Sequence, residues 1–272
     1  MILNYDNYNL FINAKEVKLG KNIHIGENVV IRGPEGPAEY VEIGDNTFLD
    51  DNIFIMTPYF KIGDYCKIYK NCRISGYKPC TIGHNFWCDQ NTILNCTDTL
   101  EIRNNVGIGA YSQLWTHIKF GDILEGCRFN STKPMLIEDD VWFVGHCIVS
   151  PIHAGKKSMA LVGSVITKDM EENHIYGGAP AKDLTDKLGN PYIDIPIDKK
   201  FNMLNDKLEE FSKLNKDAKH KIKIVLNESE INMNDDITYF IITKRKYTKK
   251  LTTIEIDFMK FLLPLYKFTP LE

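Results

Sequence analysis

Residues 43–74 read IGDNTFLDDNIFIMTPYFKIGDYCKIYKNCRI, and their aliphatics fall six apart: Ile43, Leu49 and Ile55, then Ile62, Ile68 and Ile74. A period of six fits neither an amphipathic helix nor an alternating strand. The pattern extends in both directions from this stretch. Ile102, Ile108 and Leu114 repeat it, as do Ile137, Phe143 and Val149. An aliphatic–glycine pair opens many units: Leu19-Gly20, Ile25-Gly26, Ile43-Gly44, Ile62-Gly63, Ile82-Gly83 and Ile108-Gly109.

Three units make one triangular coil of about 18 residues. Leading aliphatics at 25, 43, 62, 82, 102 and 137 step by 18, 19, 20, 20 and 35. The spacing predicts coils stacked as a parallel β-helix, each burying one aliphatic against its equivalents above and below. The fifth position of each unit turns inward at a tight corner and takes small side chains: Val29, Thr47, Cys66, Cys72, Val106, Ser112, Val141 and Cys147. Cys66, Cys72 and Cys147 are thereby read as structural filling. Seven cysteines with no CxxC pair argue against a disulfide scaffold or a zinc ribbon and suit a reducing cytosol.

The chain's 272 residues are enough for a sizeable core plus a second small domain, and its formal charge of -3 gives no reason to expect a nucleic-acid partner. Residues 1–10 carry no basic stretch followed by an apolar run, and 258–266 is too short to span a bilayer. No membrane association is expected, and the localisation expected is cytoplasmic.

The repeat governs to about residue 183. Residues 184–197 read as an irregular connector, with Gly189, Pro191 and Pro196 as breakers. Residues 198–272 read as a small α+β domain. From Asp198 as N-cap, Phe201, Leu204, Leu208, Phe211 and Leu214 recur at helical spacing. Strands are predicted at 222–226, 237–242 and 254–258. A basic turn with Lys244, Arg245, Lys246, Lys249 and Lys250 is either a solvated hairpin tip or a patch for phosphate or an acidic membrane surface.

The 35-residue step leaves about 17 residues outside the coil, a loop at 118–136 that begins directly after Leu114-Trp115-Thr116-His117. Three further segments follow it: IEDDVWFVGHCIV from 137, ALVGSVITKDM from 160 and YGGAPAKDL from 176. Together with the repeat, they make residues 17–185 resemble the hexapeptide-repeat acyltransferases. That resemblance implies a left-handed parallel β-helix, a homotrimer with sites between subunits, and acetyl-CoA or another acyl-CoA as co-substrate.

By the family's pattern, coenzyme A lies along Gly163 to Lys182. Gly145 and Gly163 lack side chains, which lets a thin pantetheine arm approach the backbone. Thr167, Lys168, Ala179, Pro180 and Lys182 line the coenzyme in the same pattern, with Lys168 and Lys182 for its phosphates. Trp142 either stacks on a ligand or seals the outside of a corner. His117 matches the family's general base, since neutral imidazole near pH 7 accepts a proton from an attacking hydroxyl or amine. Asp98, Glu101 and Asp122 are candidates to orient it. With an amine acceptor, a carboxylate such as Asp98 or Glu101, or the departing thiolate, is the alternative proton acceptor.

The resemblance implies transfer of an acetyl or related short acyl group to a sugar, with the amine of a nucleotide-linked amino sugar preferred over a saccharide hydroxyl. The same coil also serves γ-class carbonic anhydrases and non-catalytic scaffolds. The histidine pair with four residues between, which such a hydratase needs, is absent, so no metal is expected. His84 and His146 are read as outward turn residues.

Overall fold

The structure is a computed structural model that describes residues 2–5, 10–232 and 235–271. The chain divides into two compact units, Met1–Tyr192 and Ile193–Glu272.

The first unit is a left-handed parallel β-helix of hexapeptide repeats with three faces. Face one stacks His24–Ile25, Phe48–Leu49, Lys67–Ile68, Trp87–Cys88, Gly107–Ile108, Trp142–Phe143 and Met159–Ala160 in parallel register. Face two stacks Val30–Arg32, Phe54–Met56, Arg73–Gly76, Ile93–Cys96, Gln113–Leu114, Ile148–Val149 and Val165–Ile166. Face three runs from Ala38–Ile43 to His153–Ala154. The long strand Leu10–Leu19 joins faces two and three at the N-terminal end.

The repeat's leading aliphatics form the column predicted: Ile43, Leu49, Ile55, Ile62, Ile68, Ile74, Ile102, Ile108, Leu114, Ile137, Phe143 and Val149 are all buried. So are the eight small corner residues, Cys66, Cys72 and Cys147 among them. Glycine follows the leading aliphatic because rungs nearly touch there. A Cβ on Gly44 would stand 2.4 Å from the Gly63 carbonyl carbon.

At two of the three corners the chain turns through a left-handed residue, usually asparagine. Asn46, Asn52, Asn71, Asn85, Asn91 and Asn105 have φ between 56° and 64°. Asparagine tolerates this region better than most side chains. Beside it, side-chain acceptors link successive rungs. The Asp45 N–H donates to Asp64 at 2.8 Å, that of Asp64 to His84 Nδ1 at 2.9 Å, and that of His84 to Asn104 at 2.9 Å. His84 thus stands in the ladder as an acceptor, half-buried rather than simply outward.

The 35-residue step is a single rung, since Leu100–Ile102 pairs directly with Met135–Ile137. Between them the chain completes the coil through Gly107–Ile108 and Gln113–Leu114 and then projects as an antiparallel hairpin of His117–Lys119 against Asn130–Thr132.

The second unit holds a sheet of Ile222–Val225, Thr238–Ile241, Lys246–Tyr247 and Thr269–Pro270. Its long helix is Ile197–Ser212, with Leu204, Leu208 and Phe211 buried. Four expectations need correction. Pro196, not Asp198, is the N-cap, and Asp198 lies in the first turn, where a carboxylate meets the positive end of the helix dipole. Leu214 falls beyond the helix and is 76% exposed. The strand expected at 254–258 is part of a helix, Thr253–Leu262. Alternation of Ile254, Ile256 and Phe258 concealed a helical spacing of Glu255, Phe258, Met259 and Leu262, all buried, and Thr252 caps the first turn through the Glu255 N–H. The connector is not wholly irregular, because Thr185–Leu188 makes one helical turn. In the basic turn, Lys244 pairs with Glu228 at 2.8 Å.

Candidate active site

His117 lies at the base of the projecting hairpin, where face two ends. The strand Gln113–Leu114 places Leu114 in the core, and Thr116 is fully buried two residues on. His117 emerges half-buried next to it. Its ring meets the Trp115 indole edge-on, with centroids 5.9 Å apart.

The ring's polar partner is Asn95 on the preceding coil. His117 Nδ1 lies 3.0 Å from Asn95 Oδ1. The Thr97 N–H donates to the same oxygen at 3.1 Å, and the Thr116 hydroxyl lies 2.9 Å from it. A backbone N–H can face only an acceptor, so the amide orientation is set. Because Oδ1 carries no hydrogen, Nδ1 must donate. The neutral ring then holds its lone pair on Nε2, ready to accept a proton.

Sequence reading proposed carboxylates for this orienting task. The Asp98 N–H donates to Thr116 Oγ1 at 2.9 Å, and the Asp98 carboxylate accepts from the Thr99 N–H at 2.7 Å. Asp98 therefore shares the Thr116 hydroxyl with Asn95. Glu101 sits in the outward column of face three, 3.4 Å from Arg103. Asp122 caps the hairpin turn through the Leu124 N–H at 2.8 Å. Asn95 was missed because no carboxylate or repeat signal marks it. Only the stacking of coils brings it to His117.

Four of the residues expected along the coenzyme, Gly145, Gly163, Thr167 and Lys168, fall on two edges of face two. On one edge, the Trp115 N–H donates to Val149 O and the Ser150 N–H to Ile166 O, so Trp115, Ser150 and Thr167 stack rung by rung. His117, Thr167 and Lys168 share this edge, and the latter two are exposed. On the opposite edge, the Gly163 N–H donates to Gly145 O at 3.0 Å. Both glycines have positive φ, +145° and +72°, where side chains strain. Trp142, 48% exposed on face one, lies over Gly107, where a Cβ would come within 3.1 Å of its Cδ1. Between the edges runs the outward strip of Gln113, Ile148 and Val165.

Ala179 and Pro180, joined by a cis peptide, turn between Ile175–Gly178 and the antiparallel Ala181–Asp183. Lys182 pairs with Gly177 in that hairpin and is exposed. At its base His174 Nδ1 meets the Asp183 carboxylate at 2.6 Å. Desolvation is the largest single influence on Asp183 and acts to raise its pKa, but the hydrogen bonds it accepts together outweigh it. Hydrogen bonds from Thr185 and His174 lower the Asp183 pKa to about 2, while Asp183 raises that of His174.

No family model matches the chain. A provisionally named acetyltransferase of Saccharomyces cerevisiae is 29% identical over 136 residues, 48% of this chain and 62% of that protein. Over that stretch the chain is similar to an acetyltransferase. The bifunctional protein GlmU of Thermosipho melanesiensis is 28% identical over 167 residues, 59% of this chain and 30% of its own length. This hexapeptide-repeat chain therefore spans less than two thirds of either relative. A mutant of AntD, an N-acyltransferase from Bacillus cereus, solved with dTDP and coenzyme A, aligns at 16% identity and a TM-score of 0.45, covering 77% of this chain and 98% of that one. No helix among the described residues is long and apolar enough to cross a membrane.

Proposed function

We propose that the protein is an acyl-CoA-dependent acyltransferase, which moves an acetyl or related short acyl group from the thioester to a sugar. The observation that carries this reading is His117. Its Nδ1 is tied to Asn95 at the mouth of an inserted hairpin, which puts the lone pair of the neutral ring on Nε2. The acetyltransferase named among the relatives supports the same class.

In this reading the acyl-CoA lies against face two in the last coils. Gly145, Gly163, Ala179 and Pro180 flank one end, Thr167 marks the other, and Lys168 and Lys182 attract phosphates. His117 Nε2 takes the proton of the acceptor as its oxygen or nitrogen attacks the thioester carbonyl. The resulting oxyanion collapses and expels the thiolate, which leaves as coenzyme A once protonated. Asn95 holds the imidazole in the productive tautomer and becomes a neutral partner for the imidazolium that forms.

The acceptor proposed is the amine of a nucleotide-linked amino sugar. Sites between the subunits of a homotrimer complete the reading. The exposed apolar hairpin side chains Ile118, Phe120, Ile123, Leu124 and Phe129 give such a subunit contact its surface. All seven cysteines are free thiols, six of them buried, which suits the reducing cytoplasm proposed for it.

The test is thiol release from acetyl-CoA in the presence of nucleotide-linked amino and hydroxy sugars. Release with amino sugars supports the proposal, and release with hydroxy sugars alone replaces it by O-acetylation. No release with any acceptor, together with no thermal shift by coenzyme A, leaves a β-helix scaffold.

A further inference from the structure

The turn column between faces one and two changes character along the helix. Its left-handed positions are Asn28, Asn52, Asn71 and Asn91, then Tyr111, His146 and Gly163. Backbone bonds fix the order, since the His146 N–H donates to Ala110 O and the Gly163 N–H to Gly145 O, one rung apart each time. In the lower coils, side-chain amides link neighbours, as Asn28 to Asn52 at 3.1 Å and Asn71 to Asn91 at 3.2 Å.

In the upper coils the amides give way to rings. Tyr111 and His146 stack with centroids 5.0 Å apart and planes 16° from parallel. A tyrosine held at a φ of +60° is less comfortable there than asparagine, so the exchange has a backbone cost. The next rung carries Gly163, where an added Cβ would meet nothing within 4 Å. Successive rungs lie about 4.8 Å apart, close to the spacing of stacked rings. The far face of the His146 imidazole therefore opens on the rung position that Gly163 leaves without a side chain. Its rim is apolar, with Tyr111 49%, Ile148 46% and Val162 65% exposed.

We infer that this place is a stacking slot for a nucleobase, which continues the Tyr111–His146 column over Gly163. Imidazole and phenol rings accept any base face, because stacking needs a π surface rather than a particular edge pattern. Gly163 is essential to the slot for steric reasons, since a side chain on that rung would project into the space the base needs. Two ligands carry such a ring: the adenine of an acyl-CoA and the base of a nucleotide-linked sugar. The adenine source rests on the acyl-transfer reading above, whereas the slot itself does not.

Titration calorimetry on the full chain tests it, with acetyl-CoA, S-acetylpantetheine, UDP and dTDP as probes. His146→Asn installs the residue used by the rest of the column, so the backbone is accommodated while the ring is lost, and His146→Phe restores a ring without charge. His146→Asn is expected to weaken acetyl-CoA about tenfold and to spare S-acetylpantetheine, with His146→Phe restoring the affinity. That result assigns the slot to adenine. The same pattern with UDP or dTDP assigns it to the sugar nucleotide's base, and does so even if no thiol is ever released. The slot is overturned if the wild type binds none of the base-bearing probes, if His146→Asn binds them all as the wild type does, or if His146→Phe fails to restore binding.

Discussion

His117 Nδ1 donates to Asn95 Oδ1 across 3.0 Å, and this contact joins two coils at the point where the hairpin leaves the stack. With Nδ1 committed, Nε2 is the ring's only basic atom. His117→Ala removes it, so kcat should fall about 100-fold or more while the thermal transition and the affinity for coenzyme A stay unchanged. Thiol-release kinetics beside a coenzyme A titration make the check. Full activity in the variant would discard the general-base role.

Asn95 acts on the reaction through His117, and a pH profile separates that role from a purely structural one. Asn95→Asp places a carboxylate beside the imidazole, which favours its cationic form and raises its pKa. The base is then available only at higher pH, so the acidic limb of the kcat profile should move upward. An unmoved limb would argue that Asn95 only supports the fold.

Lys168 and Lys182 are exposed and are placed here to attract phosphates through long-range charge. The double change Lys168→Ala, Lys182→Ala removes binding shared by ground and transition states. The apparent KM for acyl-CoA should rise several-fold, about 3- to 10-fold, with kcat little altered. A loss confined to kcat would contradict the assignment.

The His174–Asp183 pair makes the β-helix unit's stability depend on pH. Asp183 has a folded pKa of about 2, so its contribution is present above the unfolded carboxylate value of about 3.9 and is lost as pH falls toward 2. His174 has a raised folded pKa, so its contribution is complete below about 6.5 and is lost as pH climbs through the raised value. Both terms overlap between about pH 4 and 6.5. Both side chains are partly exposed, so Asp183→Asn should lower Tm by only about 1–2 °C near pH 5.5 and by less at pH 8.5. Equal losses at the two pH values would mean that the ion pair contributes nothing.

The fold was largely legible because its burial follows chain position. Every sixth residue meets the same environment, so Ile62, Ile68 and Ile74 predict their own burial, and the small corners at Cys66, Cys72 and Cys147 follow from the same count. The second unit was less legible. Alternating Ile254, Ile256 and Phe258 satisfy a strand pattern, and the Thr252 cap with burial of Met259 and Leu262 decides for a helix.

The active-site reading divides in the same way. The long step from Ile102 to Ile137 marks His117 in one dimension, because an insertion interrupts a count that any reader of the chain can keep.

Sequence alone thus determined the coil, the residues that fill it and the rung that carries the hairpin, since each depends on spacing along one chain. Only the tertiary structure decided that Asn95 rather than a carboxylate faces His117. It also decided that Tyr111, His146 and Gly163 form one column, and that Gly145 and Gly163 lie on one edge of face two with Thr167 and Lys168 on the other. These are relations between rungs. Residues 22 or 35 positions apart meet because coils of unequal length stack in register, and that register is set by the buried column as a whole.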